Sequence, residues 1–173
     1  ASLSMVAFEQ DFMVTNFLKN LIYRQKVGEY EAWARGMNVA ATATGVTLQY
    51  CMAMPSDILM SAQFDWVTNA RASTDYAEGG NLPQFGGAAL LMWAWGLRPS
   101  KDNFMTANVS TNPYKSGGSP ANPGSNLELN AIVAATSTGP VGISDKAGAT
   151  NATLALATCA ADGALLQPGK PMT

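Results

Sequence analysis

The chain contains no histidine. That excludes a Ser-His-Asp triad, a Cys-His pair and any histidine-ligated metal, and leaves acid–base work to Asp, Glu, Lys, Tyr or Cys. Charge is scarce too. Ten Lys and Arg against 12 Asp and Glu make up 13% of 173 residues, with a net charge of -2 and a pI near 5.0. Without a basic stripe there is no electrostatic case for nucleic acid or an anionic membrane. Designed soluble surfaces carry about 25–35% charged residues, so the low content here points to a surface partly covered by another chain or a missing segment. No apolar run is long enough to cross a membrane and no signal peptide opens the sequence at Ala1, which reads as a mature form or a fragment. Only two cysteines are present, Cys51 and Cys159. Their spacing fits no metal motif, and two buried thiols are expected rather than a disulfide. No metal and no cofactor are expected: no GxGxxG or Walker pattern opens a helix.

Hydrophobic residues, by contrast, are plentiful at 47%, enough for one domain with a sizeable core. Ser2–Phe8 reads as a buried strand, and Gln10–Tyr23 as a loop with a helical turn near Phe17–Leu21. Tyr30, Trp33, Ala34, Met37, Ala40 and Ala41 recur at helical spacing, predicting a helix from about Val27 to Thr44 that stops at Gly45. Val46–Met54 and Asp65–Ala72 are strands flanking a short helix, Ser56–Ala62. A polar loop spans Ser73–Leu82. Pro83–Leu97 is apolar enough to be a helix buried on most sides, with Gly86-Gly87 suggesting close packing. Arg98–Thr106 is a poorer strand or a turn leading into one. Residues 107–126 form a long loop rich in Asn, Ser, Gly and Pro. Leu127–Thr136 and Asn151–Ala161 are helices around a fifth strand, Gly139–Ser144, and residues 163–173 are an exit segment.

Strand–helix alternation without hairpin signals means parallel strands with crossover helices. Either a doubly wound open sheet or part of a (β/α)8 barrel fits. A full barrel needs eight units and about 250 residues, so five units imply missing strands.

Two stretches share one design. Met5–Phe12 and Val67–Tyr76 are apolar runs that end in Asp11 and Asp75. A carboxylate just past a buried strand is a common place for chemistry in α/β proteins, although the pattern by itself favours a helix N-cap or a loop acid. The four tryptophans, Trp33, Trp66, Trp93 and Trp95, offer sugar-stacking faces but sit in patterns that favour core packing.

The run from Leu48 to Phe104 resembles the raffinose-synthase and alkaline α-galactosidase branch of retaining α-glycosidases. The resemblance rests on Cys51-Met52, on Arg71-Ala72-Ser73-Thr74-Asp75-Tyr76, on Pro83–Leu97 and on Asp102-Asn103-Phe104. Gly139–Lys146 and Asp162-Gly163 continue it in order. It implies a partial (β/α)8 TIM barrel, strands four to eight with their helices, in a single domain completed by another chain or segment. It implies Asp11 as nucleophile and Asp75 as general acid/base, with Arg71, Asp102 and Glu9 at the substrate. Positions 11 and 75 lie 64 residues apart, close to the roughly 60 residues of two barrel units. Where the family usually carries a lysine two residues before the nucleophile, this chain has Glu9, reversing the charge.

The expected function is therefore a retaining α-glycoside hydrolase or transglycosidase acting on carbohydrate. The alternatives are a catalytically inactive glycosidase-like subunit with a carbohydrate-binding or assembly role, and an unrelated open α/β domain. The expected partners are a carbohydrate substrate and a second chain supplying the other barrel strands. Asn108-Val-Ser110 and Asn151-Ala-Thr153 are N-glycosylation sequons, which would matter in a secreted glycoprotein.

Overall fold

The computed structural model describes residues 4–73, 82–101, 103–107 and 127–172, with side chains from 85 onward in the second of these stretches. It is an α/β structure whose four-stranded parallel sheet runs in the order β1-β2-β3-β4. The strands are β1 (Ala7–Gln10), β2 (Thr47–Tyr50), β3 (Val67–Arg71) and β4 (Arg98–Ser100). Between β1 and β2 come α1 (Met13–Lys19), α2 (Leu21–Gln25) and α3 (Glu29–Thr44). Then α4 (Pro55–Met60), continued by a 3-10 turn at Ser61–Gln63, joins β2 to β3, and α5 (Leu82–Ala94) precedes β4. Finally, α6 (Leu127–Thr136) and α7 (Ala152–Leu156) follow. The chain divides into two compact units, Ala1–Arg71 with Leu91–Arg98, and Ala72–Leu90 with Pro99–Thr173.

In the first unit, α3 runs where helical periodicity places it. Gly28 (φ 87°) admits the chain, Glu29 and Glu31 lie in the first turn where the helix dipole favours acids, and Gly45 (φ 69°) ends it in the left-handed region. Glu31 accepts from Arg35 one turn on at 2.5 Å, and the Arg35 guanidinium lies 5.5 Å from the Phe64 ring centre. The core is built from Ala34, Ala41, Leu48, Tyr50, Ile58, Phe64 and Val67, all buried. Each large apolar side chain among them contributes about 1.5–3 kcal/mol on burial. The buried alternation Leu48, Tyr50 assigns one face of β2 to this core. Among the described residues β1 is an edge strand and mostly exposed: Phe8 keeps 46% of its surface, and Met5 and Val6, just before it, keep 65% and 74%.

In the second unit, Phe104, Ala131 and Ala134 form a small core onto which Val141 and Leu154 pack. Asp145 anchors the loop beside it. Its Oδ1 accepts from Thr106 N at 2.9 Å and Ala107 N at 3.2 Å, and its Oδ2 accepts from the Thr106 hydroxyl. Gly139 is required sterically: a Cβ there would meet Pro99 O and Ser100 Cβ, both at 2.6 Å.

Several expectations change. The expected fifth strand over residues 139–144 is only an isolated parallel bridge, Phe104 with Ile143. Pro140 has no amide hydrogen to donate, so a ladder cannot extend through it. α7 spans five residues rather than eleven, although Asn151 does cap it, accepting from Thr153 N and Leu154 N. α5 is not buried on most sides. Phe85, Ala89 and Met92 are buried at helical spacing, while Leu90, Trp93 and Trp95 are exposed. Nor do Gly86 and Gly87 mark close packing, since a Cβ at either would meet open space. Trp33 and Trp66 are half-buried, so none of the four tryptophans is a fully buried core residue.

Candidate active site at the carboxyl ends of the strands

The site lies within the first unit and follows from strand register. Glu9 pairs with Gln49, and Gln49 with Asn69. One extra residue in β3, Thr68, is accommodated by a register shift between Leu48 and Gln49. Side chains alternate across a strand, so the positions two residues further on share this face: Asp11, Cys51 and Arg71. Two polar rows therefore cross the carboxyl ends of three consecutive parallel strands, Glu9–Gln49–Asn69 and, above it, Asp11–Cys51–Arg71. The opposite face carries Phe8, Leu48, Tyr50 and Ala70.

The lower row is ordered by a relay. Thr68 Oγ1 donates to Asn69 Oδ1 at 3.1 Å, and Asn69 Nδ2 donates to Gln49 Oε1 at 2.6 Å. The Gln49 side-chain oxygen is thereby committed to β3. In the upper row, Asp11 Oδ1 accepts from Phe12 N at 2.6 Å. The Cys51 Sγ and one oxygen each of Glu9 and Asp11 lie within 4.8 Å of one another. Cys51 is buried, Asp11 half-buried and Glu9 exposed. Burial pushes the Cys51 thiol well above the usual thiol range, and the nearby Asp11 and then Glu9 carboxylates push it further. Arg71 opposes this, with less effect. Burial and the carboxylates both disfavour the thiolate, which is the nucleophilic form of a cysteine.

Backbone strain brackets the same place. Phe12 (φ 57°) directly follows Asp11, and Met52 (φ 51°) directly follows Cys51. For residues with a Cβ such angles cost on the order of 1–2 kcal/mol each. The two turns are joined: Cys51 N donates to Gln10 O at 2.9 Å, and Val14 N to Met52 O at 3.0 Å. The first of these bonds continues the β1–β2 ladder past its last strand pair. The second ties the start of α1 to the strained turn after β2.

Glu9, Asp11 and Cys51 are also the donor set a divalent cation would use. Exposed acidic groups are common without an ion, so the grouping alone assigns no metal. Among the described residues the salt bridge is Arg35–Glu31, and neither Glu9 nor Asp11 is in one.

Behind the site, β2 presents Tyr50 to Asp57 on α4 and Tyr30 on α3. Asp57 Oδ2 accepts from Met54 N at 2.7 Å, tying down the turn after Cys51. Tyr30 Oη, Tyr50 Oη and Asp57 Oδ1 are near enough to influence one another, yet none of the three completes a well-aligned hydrogen bond. Burial raises the pKa of Asp57, an effect that the Met54 amide and Tyr30 partly offset. Phe17, Tyr23, Tyr30 and Trp33 form an aromatic cluster with ring centres 5.2–5.9 Å apart. It borders an open groove of about 620 Å³ with Asn16, Lys19 and Asn20 on its wall.

Of the sequence-predicted residues, Glu9, Asp11 and Arg71 share the polar face. Asp75 and Asp102 lie outside the described residues. Sequence reasoning missed Cys51, Gln49 and Asn69. Cys51 stands just past β2 as Asp11 stands just past β1, so the rule that singled out the aspartate applies to the cysteine as well. Gln49 and Asn69 interrupt apolar strands with amides, a signal that needs the register to be read.

Comparison with known proteins returns nothing: no protein family, no curated protein and no solved structure matches the chain.

Proposed function

We propose that the chain is the carboxyl-terminal part of a (β/α)8 barrel and that its polar sheet face serves a retaining α-glycoside hydrolase or transglycosidase. The observation that carries this reading is the grouping of Asp11, Glu9, Cys51 and Arg71 on one face at the carboxyl ends of adjacent parallel strands, where barrel enzymes build their sites. Strand order adds support. β1 to β4 follow one another without the reversal that creates the ligand crevice of a doubly wound sheet.

In this reading the Asp11 carboxylate attacks the anomeric carbon as Asp75 gives its proton to the departing glycosidic oxygen. Water, or a sugar hydroxyl in transfer, then attacks the glycosyl ester while Asp75 takes that proton back. Arg71, Asp102 and Glu9 contact the sugar. In place of the family's lysine, Glu9 supplies an acceptor for sugar hydroxyls. Further strands join the free edge of β1, from a second chain or a segment of the same protein. The exposed Met5, Val6 and Phe8 favour this, as does an adjacent apolar groove of about 280 Å³ between α3 and the first two strands.

A second reading, an inactive glycosidase-like subunit that binds carbohydrate or assembles with a partner, is favoured by the placement of Glu9 within 4.8 Å of Asp11. Like charges this close repel, and Glu9 stands where the family's lysine contacts the sugar. The decisive experiment is turnover of aryl α-glycosides by the wild type, Asp11→Asn and Asp75→Asn. Loss of at least about a thousandfold in both variants is expected of a nucleophile and its acid/base partner. Equal rates in all three remove both residues from the mechanism. Sugar binding without turnover supports the second reading.

A further inference from the structure

Cys51 is not explained as a core residue. Its side chain lies on the polar face, 1% exposed, against two carboxylates. Its own amide donates to Gln10 O and its carbonyl accepts from Met13 N at 3.4 Å, so backbone contacts on both sides hold it to the turn that bears Asp11. The strained turn at Met52 follows, held by Val14 N from α1 and by Asp57 through Met54 N. The backbone thus holds Cys51 beside the turn that bears Asp11, with its sulfur within 4.8 Å of both carboxylates.

We propose that Cys51 is a positioning residue for the nucleophile: its thiol, held within 4.8 Å of both carboxylates, donates to Asp11, fixes the carboxylate's rotamer, and stands as a spacer between it and Glu9. The inference rests on the glycosidase reading above.

Three physical points support it. Asp11 Oδ1 is already engaged by Phe12 N, so a donor on the thiol side leaves one oxygen direction open towards a sugar. Two carboxylates on the same face repel, and a protonated donor shared between them lowers that repulsion without adding charge. Cysteine fits where a lysine would not. An ammonium here would form an ion pair with the nucleophile and blunt it, whereas a thiol donates weakly. The group does not react itself, because the burial and the two carboxylates that orient it also keep its proton on.

The test is covalent trapping of Asp11 by an activated fluoroglycoside, followed by intact-mass measurement and peptide mapping on the wild type, Cys51→Ala and Cys51→Ser. Serine keeps a small neutral donor and alanine removes it. The expected result is wild-type labelling at Asp11, a trapping rate at least tenfold lower in Cys51→Ala, and recovery to within about threefold in Cys51→Ser. A purely packing role would not be restored by serine, which keeps a donor but not the volume of the sulfur. Trapping at the wild-type rate in Cys51→Ala overturns the inference and leaves the glycosidase reading standing. Equal loss in the alanine and serine variants, with the fold intact by circular dichroism, also overturns it and makes Cys51 a packing residue. No labelling of the wild type overturns the glycosidase reading, and this inference with it.

Discussion

Removing the Asp11 carboxylate should make the Cys51 thiol more acidic. The two groups lie within 4.8 Å, and at an effective dielectric of about 20 a charge at that distance is worth about 3 kcal/mol. Each 1.36 kcal/mol corresponds to one pKa unit, and solvent reaching the half-buried carboxylate trims the effect. Asp11→Asn should therefore lower the thiol pKa by about 2 and raise the thiolate fraction at mildly alkaline pH about a hundredfold. Glu9 is exposed, and the same reasoning gives Glu9→Gln about a tenfold rise. Arg71 acts in the opposite sense, so Arg71→Met should slow the thiol. The assay is iodoacetamide alkylation of Cys51, read by peptide mass spectrometry with the half-buried free Cys159 as internal reference. Thiolate absorbance provides a second measurement. The opposite signs separate electrostatics from altered access, which has no reason to follow charge. Unchanged Cys51 rates in Asp11→Asn and Glu9→Gln would refute the placement of the thiol against both carboxylates.

Other consequences concern stability. Burial raises the Asp57 pKa in the folded protein above its unfolded value of 3.8. Its contribution to stability is fully present below that value and is lost as pH rises through the folded pKa. Urea midpoints of the wild type should fall across this window, and those of Asp57→Asn should fall less. Gly139→Ala should cost at least about 2 kcal/mol, since the new Cβ would overlap Pro99 O and Ser100 Cβ at 2.6 Å. A melting temperature equal to the wild type would count against that close approach. Asp145→Ala strands the Thr106 and Ala107 amides and should cost about 2–3 kcal/mol in chemical denaturation.

The fold was legible wherever local rules act alone. α3 was legible in its apolar spacing and its stop at Gly45, and β3 in an apolar run after a turn. The pattern misled where a local signal lacked its tertiary partner. Apolar composition predicted a helix buried on most sides at α5, but only the Phe85, Ala89 and Met92 stripe is buried. Composition records how much apolar surface a helix has, not how much of it a neighbour covers. The run at residues 139–144 read as a strand, yet a strand exists only through its ladder, and Pro140 interrupts it.

The candidate site divides in the same way. An aspartate past a strand is visible in a sequence, so Asp11 was singled out. Its companions were not, because a parallel sheet joins residues about 40 positions apart and one step of register decides which face each takes. The sequence by itself determined the absence of histidine chemistry, the α/β alternation and the strand-end carboxylate. Only the tertiary structure decided that Glu9, Asp11, Cys51 and Arg71 share a face, that Asn69 donates to Gln49, and that burial raises the pKa of Cys51. Those properties depend on distance and burial, which arise when the strands pair.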